Sequence, residues 1–287
     1  MGAMKLADFV DLDTYPIDRP GSDDYVAAVA AARDGLRSVG CAVVTNLIRA
    51  AAVAELAAEI KQEKPTTHFS MQTMNPYFHT EVNDEFPERH PVNTFIERSS
   101  GFIPGDSWDP AGPMNRLFRI PELVEFIAEC LEIPELYPYA DPLAGLTANI
   151  LDPGQQFTWH FDTNDFAVTL LVQEADEGGL FEYVPAIRSP KDEGFERIQN
   201  VLDGGREGVV TLELRPGDLQ IFRGRHSLHA VTRVPDGSRP RHAAIFAYTA
   251  EPGVIGRVER TTQLFGRVLP AHVEAEEARV RSDALID

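Results

Sequence analysis

The stretch WHFDTNDFAVTLLVQ, residues 159–173, sets a histidine and an aspartate two residues apart at the head of an apolar run. Imidazole nitrogen with carboxylate oxygen is a mixed donor set that suits Fe(II), Mn or Zn. Alternate side chains of a strand share a face, so His160 and Asp162 can point together while Phe161 turns away. A metal needs a further donor, from a later strand that pairs close by. GDLQIFRGRHSLHAVTRV offers His226 in a loop and His229 inside the strand-like LHAVTRV. The strand position favours His229, with His226 as the alternative. Two histidines and a carboxylate form a facial triad with up to three octahedral positions open, which suits non-haem Fe(II) oxygen chemistry. A closed zinc site would want a fourth protein ligand, and none is apparent.

The next chemical clue is RPRHAAIFAY, where Arg241 begins the last strand-like run. A guanidinium can hold a carboxylate through two parallel hydrogen bonds. At this place it would clamp the distal carboxylate of 2-oxoglutarate while the keto-acid end chelates iron. Arg239 competes for that role from the same turn. His68, His79 and His90 follow no ligand spacing and read as ordinary loop histidines. Trp159, Phe157, Phe166, Phe181 and Phe222 read as core.

Positioning these groups requires a barrel. From Leu146 onward, LTANIL, QFTWHF, DFAVTLLVQ, GLFEYVP, GVVTLEL, DLQIFR, SLHAVTRV and RHAAIFAYT follow one another, separated mostly by turn signals such as DPGQ, RPGD and PDGSRP. Eight strands at near-regular spacing, interrupted by an insertion over 186–206, suggest a jelly roll or barrel and not a βαβ fold. Ahead of it, residues 23–39 and 51–63 have helical periodicity, and CAVVTNLI between them reads as a short strand. A third helix is expected over 116–132, with Asn115 as N-cap and Pro121 in its early part. Residues 64–112 show no clear period, yet hold Met71, Met74, Tyr77, Phe78, Phe86 and Phe95. That is too apolar for a solvated linker, so ordered loop and short elements laid over a pocket are expected. The expected fold is mainly β with flanking helices: one domain, with a helical and loop region over about 5–140, a β core over about 146–250 and a C-terminal extension over 251–287.

Composition narrows the partners. The chain has 287 residues, 43% hydrophobic and 25% charged, with a formal net charge of −19. Such acidity argues against nucleic acid and anionic membranes as partners, and leaves small molecules open because a local pocket can carry the opposite sign. Cys41 and Cys130 form no paired motif, so reduced thiols and a cytoplasmic location are expected. No apolar run is long enough for a transmembrane helix, and the start lacks a signal-peptide pattern. MGAM reads as an appended leader with the native start at Met4.

The order HxD, a distal histidine in SLHAVTRV, then arginine resembles the Fe(II)/2-oxoglutarate-dependent dioxygenase superfamily, whose core is a double-stranded β-helix of the jelly-roll or cupin type. YADPLAGLTANILDPGQQFTWHFDTNDFAVTLLVQ, GGLFEYVPAIRSPKDEGFERIQNVLDG, GDLQIFRGRHSLHAVTRV and EPGVIGRVERTTQLFGR are similar to the BesD/HalD-like family of amino-acid halogenases and hydroxylases, over roughly residues 68–268. The resemblance implies Fe(II), 2-oxoglutarate and O2 as cofactors, with ascorbate as a candidate stimulant. Iron would be held by His160, Asp162 and His229, and 2-oxoglutarate by Arg241. Halogenases of that family have glycine where this chain has Asp162. The carboxylate occupies the place a halide would take, so the resemblance implies hydroxylation of an unactivated C–H, with release of succinate and CO2.

It further implies a free amino acid or amino-acid-like small metabolite as substrate, its carboxylate held by Arg98 in NTFIERSSGF. Lysine-selective members carry an acid just after the metal motif. Thr163 and Asn164 stand there instead and suit a polar neutral or smaller substrate better than a cation, with Asp165 and Glu182 as remaining sources of charge. Desaturation or cyclisation by the same cofactor chemistry, a non-catalytic barrel that binds 2-oxoglutarate or metal, and a cupin-like Zn or Mn hydrolase or isomerase are the alternatives. The sequence leaves the oligomeric state open.

Overall fold

The computed structural model describes residues 5–278 and Ile286; the expectation for MGAM lies outside these. A short α1 (Leu6–Phe9) precedes α2 (Asp23–Ser38). The Ser22 side chain caps α2 by accepting from the Tyr25 N–H, and Asp23 and Asp24 sit at its positive end. Gly40, at φ +67, turns the chain into β1 (Cys41–Val44). Then come α3 (Ala50–Glu63), β2 (His68–Met74) and β3 (Ile96–Ile103). The two strands β2 and β3 are short elements within the stretch 64–112, where ordered loop and short elements are expected. Their faces explain why no strand pattern shows there: β2 alternates half-buried and exposed residues, and β3 buries Arg98, Ser99 and Ser100, polar residues that carry no strand signal.

The third helical stretch is two helices, α4 (Pro113–Phe118) and α5 (Pro121–Leu131). Pro121 disfavours a helical conformation at Ile120, which is extended at ψ 116, so the chain restarts a helix there. Asn115 is therefore inside α4, not its cap, and its amide donates to the Asp109 carbonyl at 2.9 Å.

The β core follows: β4 (Tyr137–Pro138), β5 (Leu146–Leu151), β6 (Phe157–His160), β7 (Ala167–Gln173) and β8 (Phe181–Val184). Helix α6 (Phe195–Leu202) lies in the insertion. After it come β9 (Val210–Leu212), β10 (Leu219–Phe222), β11 (Leu228–Val231), β12 (Arg241–Phe246) and β13 (Tyr248–Thr249), then α7 (Val258–Phe265) and α8 (Pro270–Glu277). All eight expected barrel strands are present. The larger sheet runs β1-β10-β7-β12-β5-β3-β2, the smaller β6-β11-β8-β9, and β13 pairs only with β4. Strands β5 to β12 thus divide between two facing antiparallel sheets, a double-stranded β-helix.

Alternation along the strands builds two apolar layers. Val168, Leu170 and Val172 of β7, with Ala244 and Phe246 of β12, face α2, α3 and α5. The opposite faces, with Leu151, Phe157, Phe181, Tyr183, Phe222 and Val231, close the barrel interior. No helix among the described residues is long and apolar enough to cross a membrane.

One buried base on β12 ties the fold to pH. His242 is 7% exposed and its Nε2 has no hydrogen-bond partner. Burial, and then the Lys64 ammonium, hold it at about 4, against an ordinary 6.5. The unfolded chain therefore takes up more protons between those values, and stability falls as pH drops from about 6.5 through 4. At pH 5 the loss should be on the order of 2 kcal/mol. Urea unfolding at pH 7.5 and pH 5 should show that His242→Leu escapes this part of the loss; an identical pH dependence in both proteins would contradict it.

Candidate active site

The two histidines face each other across the smaller sheet. β6 and β11 are antiparallel with His160 opposite His229, and their ring centroids are 4.0 Å apart. The register shifts before the next pair, Phe157 opposite Val231, so β6 carries a bulge beside the site. Bulges re-aim side chains and end pairing. Asp162 lies beyond the end of β6, not on the strand as its spacing suggested. Its backbone N–H donates to the Gly224 carbonyl at 3.2 Å, which brings the carboxylate back over the histidines. Asp162 Oδ1 is 3.5 Å from His229 Nε2 and 3.9 Å from His160 Nε2. Phe161 does turn away, stacking on Tyr77 and under the Arg188 guanidinium.

These three residues fit a metal. They are the group among the described residues whose donor atoms lie within 4.8 Å of one another. Neighbouring donors around an octahedral first-row ion stand about 3 Å apart, so small movements would close the set. Each imidazole is also in the required tautomer. His160 Nδ1 is 2.7 Å from the Thr158 carbonyl and His229 Nδ1 is 2.9 Å from the Ser227 carbonyl. A carbonyl can only accept, so both Nδ1 atoms carry the proton and both Nε2 lone pairs face Asp162. Burial, and then nearby His229, push His160 well below its usual range. Burial would raise Asp162, but His229, His160 and then Arg260 bring it to about 2. At neutral pH the site presents a carboxylate and an unprotonated His160 imidazole, the forms a metal needs.

Gly224 was not singled out in the sequence, and its role is spatial. A Cβ there would stand 1.8 Å from Asp162 Oδ2 and 2.6 Å from its Cγ. Only a residue without a side chain lets the carboxylate occupy this position. His226, the alternative ligand, sits in the same loop, stays out of the triad and lines the cavity in front of it.

That cavity measures about 910 Å³ and opens beside Asp162, Thr163 and Asn164. Thr163 is exposed and Asn164 half-buried. Asp165 is largely exposed, 3.8 Å from the Arg225 guanidinium. Glu182 is held by Arg206 and Thr211 on the other face of its strand. Phe157 stacks on His160 at 4.1 Å, and Phe78 approaches it at 5.3 Å. Phe78 has φ 68, a left-handed conformation that costs a residue with a side chain on the order of 1–3 kcal/mol. Asn75 sustains it: its Oδ1 accepts from the Tyr77 and His79 N–H groups, and its Nδ2 donates to the Val92 carbonyl.

The arginines separate clearly. Arg239 is half-exposed and paired with Asp176 at 3.0 Å. Arg241, on the inward face of β12 with Ala243 and Ile245, is 5% exposed, and burial lowers it to about 10. It has no acidic partner among the described residues. Arg98 is wholly buried against the Phe157 ring. Its Nη2 donates to Ser70 Oγ and the Gln263 carbonyl, while Nε and Nη1 have no partner.

The Gly224 contact has a direct consequence. Gly224→Ala should keep the fold, since the three atoms nearest its Cβ all belong to the Asp162 side chain. Displacing that ligand should weaken Fe(II) binding roughly ten- to hundredfold in an anaerobic titration. Unchanged affinity would show that the carboxylate does not need this space.

Comparison with known proteins agrees with this geometry. The family model for halogenase D matches residues 112–263, just over half of the chain. No curated protein matches in sequence. Among solved structures, AviO1 from Streptomyces viridochromogenes Tue57 is 16% identical, with 78% of this chain and 96% of that one covered and a TM-score of 0.53. A 2OG-Fe(II) oxygenase-family oxidoreductase from Burkholderia pseudomallei is 14% identical, over 79% and 92%, with a TM-score of 0.50. The epimerase SnoN, in complex with Fe3+, alpha ketoglutarate and nogalamycin RO, is 15% identical over 78% and 84%, with a TM-score of 0.51. At such identities the structural likeness speaks for the fold, and the family match for the lineage. The chain belongs to the halogenase D family of Fe(II)/2-oxoglutarate-dependent oxygenases, with Fe(II), 2-oxoglutarate and O2 as its cofactors.

Proposed function

We propose that this protein is a hydroxylase of a free amino acid or amino-acid-like small metabolite. The observation that carries the reading is the Asp162 carboxylate, aimed between the two Nε2 atoms. A halogenase of the family has glycine there and leaves that metal position to a halide. Here a protein carboxylate stands in that position, and hydroxylation is the outcome that follows.

The reading gives the chain's residues these roles, each supported by where the residue stands. His160, Asp162 and His229 hold the iron. Iron with 2-oxoglutarate and O2 supplies the oxidising power that couples decarboxylation to C–H oxidation. Arg241 holds the distal carboxylate of 2-oxoglutarate, since it is an inward-facing cation on β12 without an acid of its own. Phe157, Phe181 and Phe222 surround the histidines and exclude water. Arg98 holds the substrate carboxylate, and Thr163 and Asn164 contact the rest of the substrate from the cavity rim.

The test is an anaerobic panel: Fe(II), 2-oxoglutarate and each common amino acid, then oxygen. Succinate release and a product heavier by one oxygen are expected for one amino acid or a few. Asp162→Ala should abolish the coupled succinate release, and turnover unchanged by that substitution would sink the reading. Arg241→Gln should raise the 2-oxoglutarate KM at least tenfold with the metal affinity retained; an unchanged KM would remove Arg241 from the clamp.

A further inference from the structure

The substrate side of the metal holds a second arginine that the function above does not use. Arg260 is on α7, half-buried, with its guanidinium against the Phe78 ring. It lines the cavity, and its charge bears on both Asp162 and His160. Gln263, one turn further along α7, joins it to Arg98. The Gln263 backbone carbonyl accepts from Arg98 Nη2 at 3.2 Å, and its Oε1 accepts from Arg260 Nη1 at 3.5 Å. The Gln263 amide donates to the Phe78 carbonyl at 2.9 Å, closing the cluster.

Charge does not balance in this cluster. The two guanidiniums are close enough to disfavour each other, and burial weighs on both. The acids whose charge bears on Arg260 are Asp162, which belongs to the metal, and then the exposed Glu259. Arg98 Nε and Nη1 are fully buried donors with no acceptor. Unpaired buried donors of this kind are costly. Arg98 lies behind the cavity lining, joined through Gln263 to Arg260, which does line it, so an anion bound at Arg260 would stand beside both charges. Besides the ligand Asp162, the acids that line the cavity among the described residues are Asp165 and Glu251, both exposed to solvent and Asp165 turned toward Arg225, while Glu182 is engaged by Arg206. The chain as a whole is strongly acidic, with a formal net charge of −19, so a cationic patch at the metal is a local departure.

The α7 segment is fixed in place. Asp141 and His272, both inaccessible, meet at 3.0 Å. Asp141 also accepts from the backbone N–H groups of Leu143, Ala144 and Gly256. This network ties the run before α7 and the helix after it to the loop that enters β5. Arg260 is thus presented by an anchored helix.

We propose that the substrate is a small dicarboxylate of the acidic amino-acid class, with Arg98 and Arg260 as its two anion-binding residues. The proposal rests on the oxygenase reading of this site and names the charge of its substrate. It is tested on the full chain loaded with Ni(II) and 2-oxoglutarate, which binds without turning over. Calorimetry then compares L-glutamate, L-aspartate, L-glutamine, L-asparagine, L-lysine and L-malate. At least one acid should bind roughly tenfold or more tighter than its own amide, the factor expected of one charge-assisted contact. Arg260→Gln should bring that ratio close to one while 2-oxoglutarate affinity is kept, and Arg260→Lys should retain part of the preference. The proposal is overturned if an amide or lysine binds as well as the acids, if no dicarboxylate binds, or if Arg260→Gln weakens acid and amide equally. Glutamine or lysine bound and oxidised would leave the amino-acid reading standing and remove this one. L-malate bound through Arg260, with every amino acid rejected, would overturn this proposal and the amino-acid reading together.

Discussion

The site depends on one register. β6 and β11 pair so that His160 stands directly opposite His229, and a slip of one residue would turn one imidazole to the wrong face. What fixes the register is the apolar set on the same faces: Phe157 and Val231 inside the barrel, and Phe161 and Leu228 in the layer behind. β6 ends at His160, which lets the chain curl back, and the missing side chain of Gly224 leaves room for Asp162. Packing, backbone irregularity and an absent Cβ together set three donor atoms around one point. The carbonyls of Thr158 and Ser227 fix which nitrogen of each ring faces it.

Much of this was legible in the sequence because it follows local rules. The eight barrel strands show in alternation and turn chemistry, and His229 could be chosen over His226 because a strand positions a ligand better than a loop. Arg241 stood out from Arg239 only by sitting inside its strand, and burial of the one and surface pairing of the other accord with that. What could not be read depends on contacts between distant segments. β3 buries Arg98, Ser99 and Ser100, so its composition looks like loop. Gly224 matters through a residue 62 positions earlier, and its own neighbours reveal nothing of that. Arg260 was not singled out in the sequence, and only its link through Gln263 to Arg98 marks it. The split of one expected helix into α4 and α5 is different: Pro121 was visible, and its effect on Ile120 was underweighted.

Three arginines are buried or half-buried around the barrel interior. Arg241 faces the interior from β12, while Arg98 and Arg260 stand near the mouth by Phe157 and Phe78. The buried Asp141–His272 pair gives this arrangement its rigidity from the C-terminal side. A left-handed Phe78, held by Asn75, completes it from the N-terminal side.

The central claim is that Asp162 makes this member of the halogenase D family deliver oxygen and not halide. The most direct measurement is a turnover under 18O2 in chloride-containing buffer, with the product and succinate read by mass. The account predicts one 18O atom in the hydroxylated product, one in succinate and no chlorine in either. A chlorinated product would contradict it.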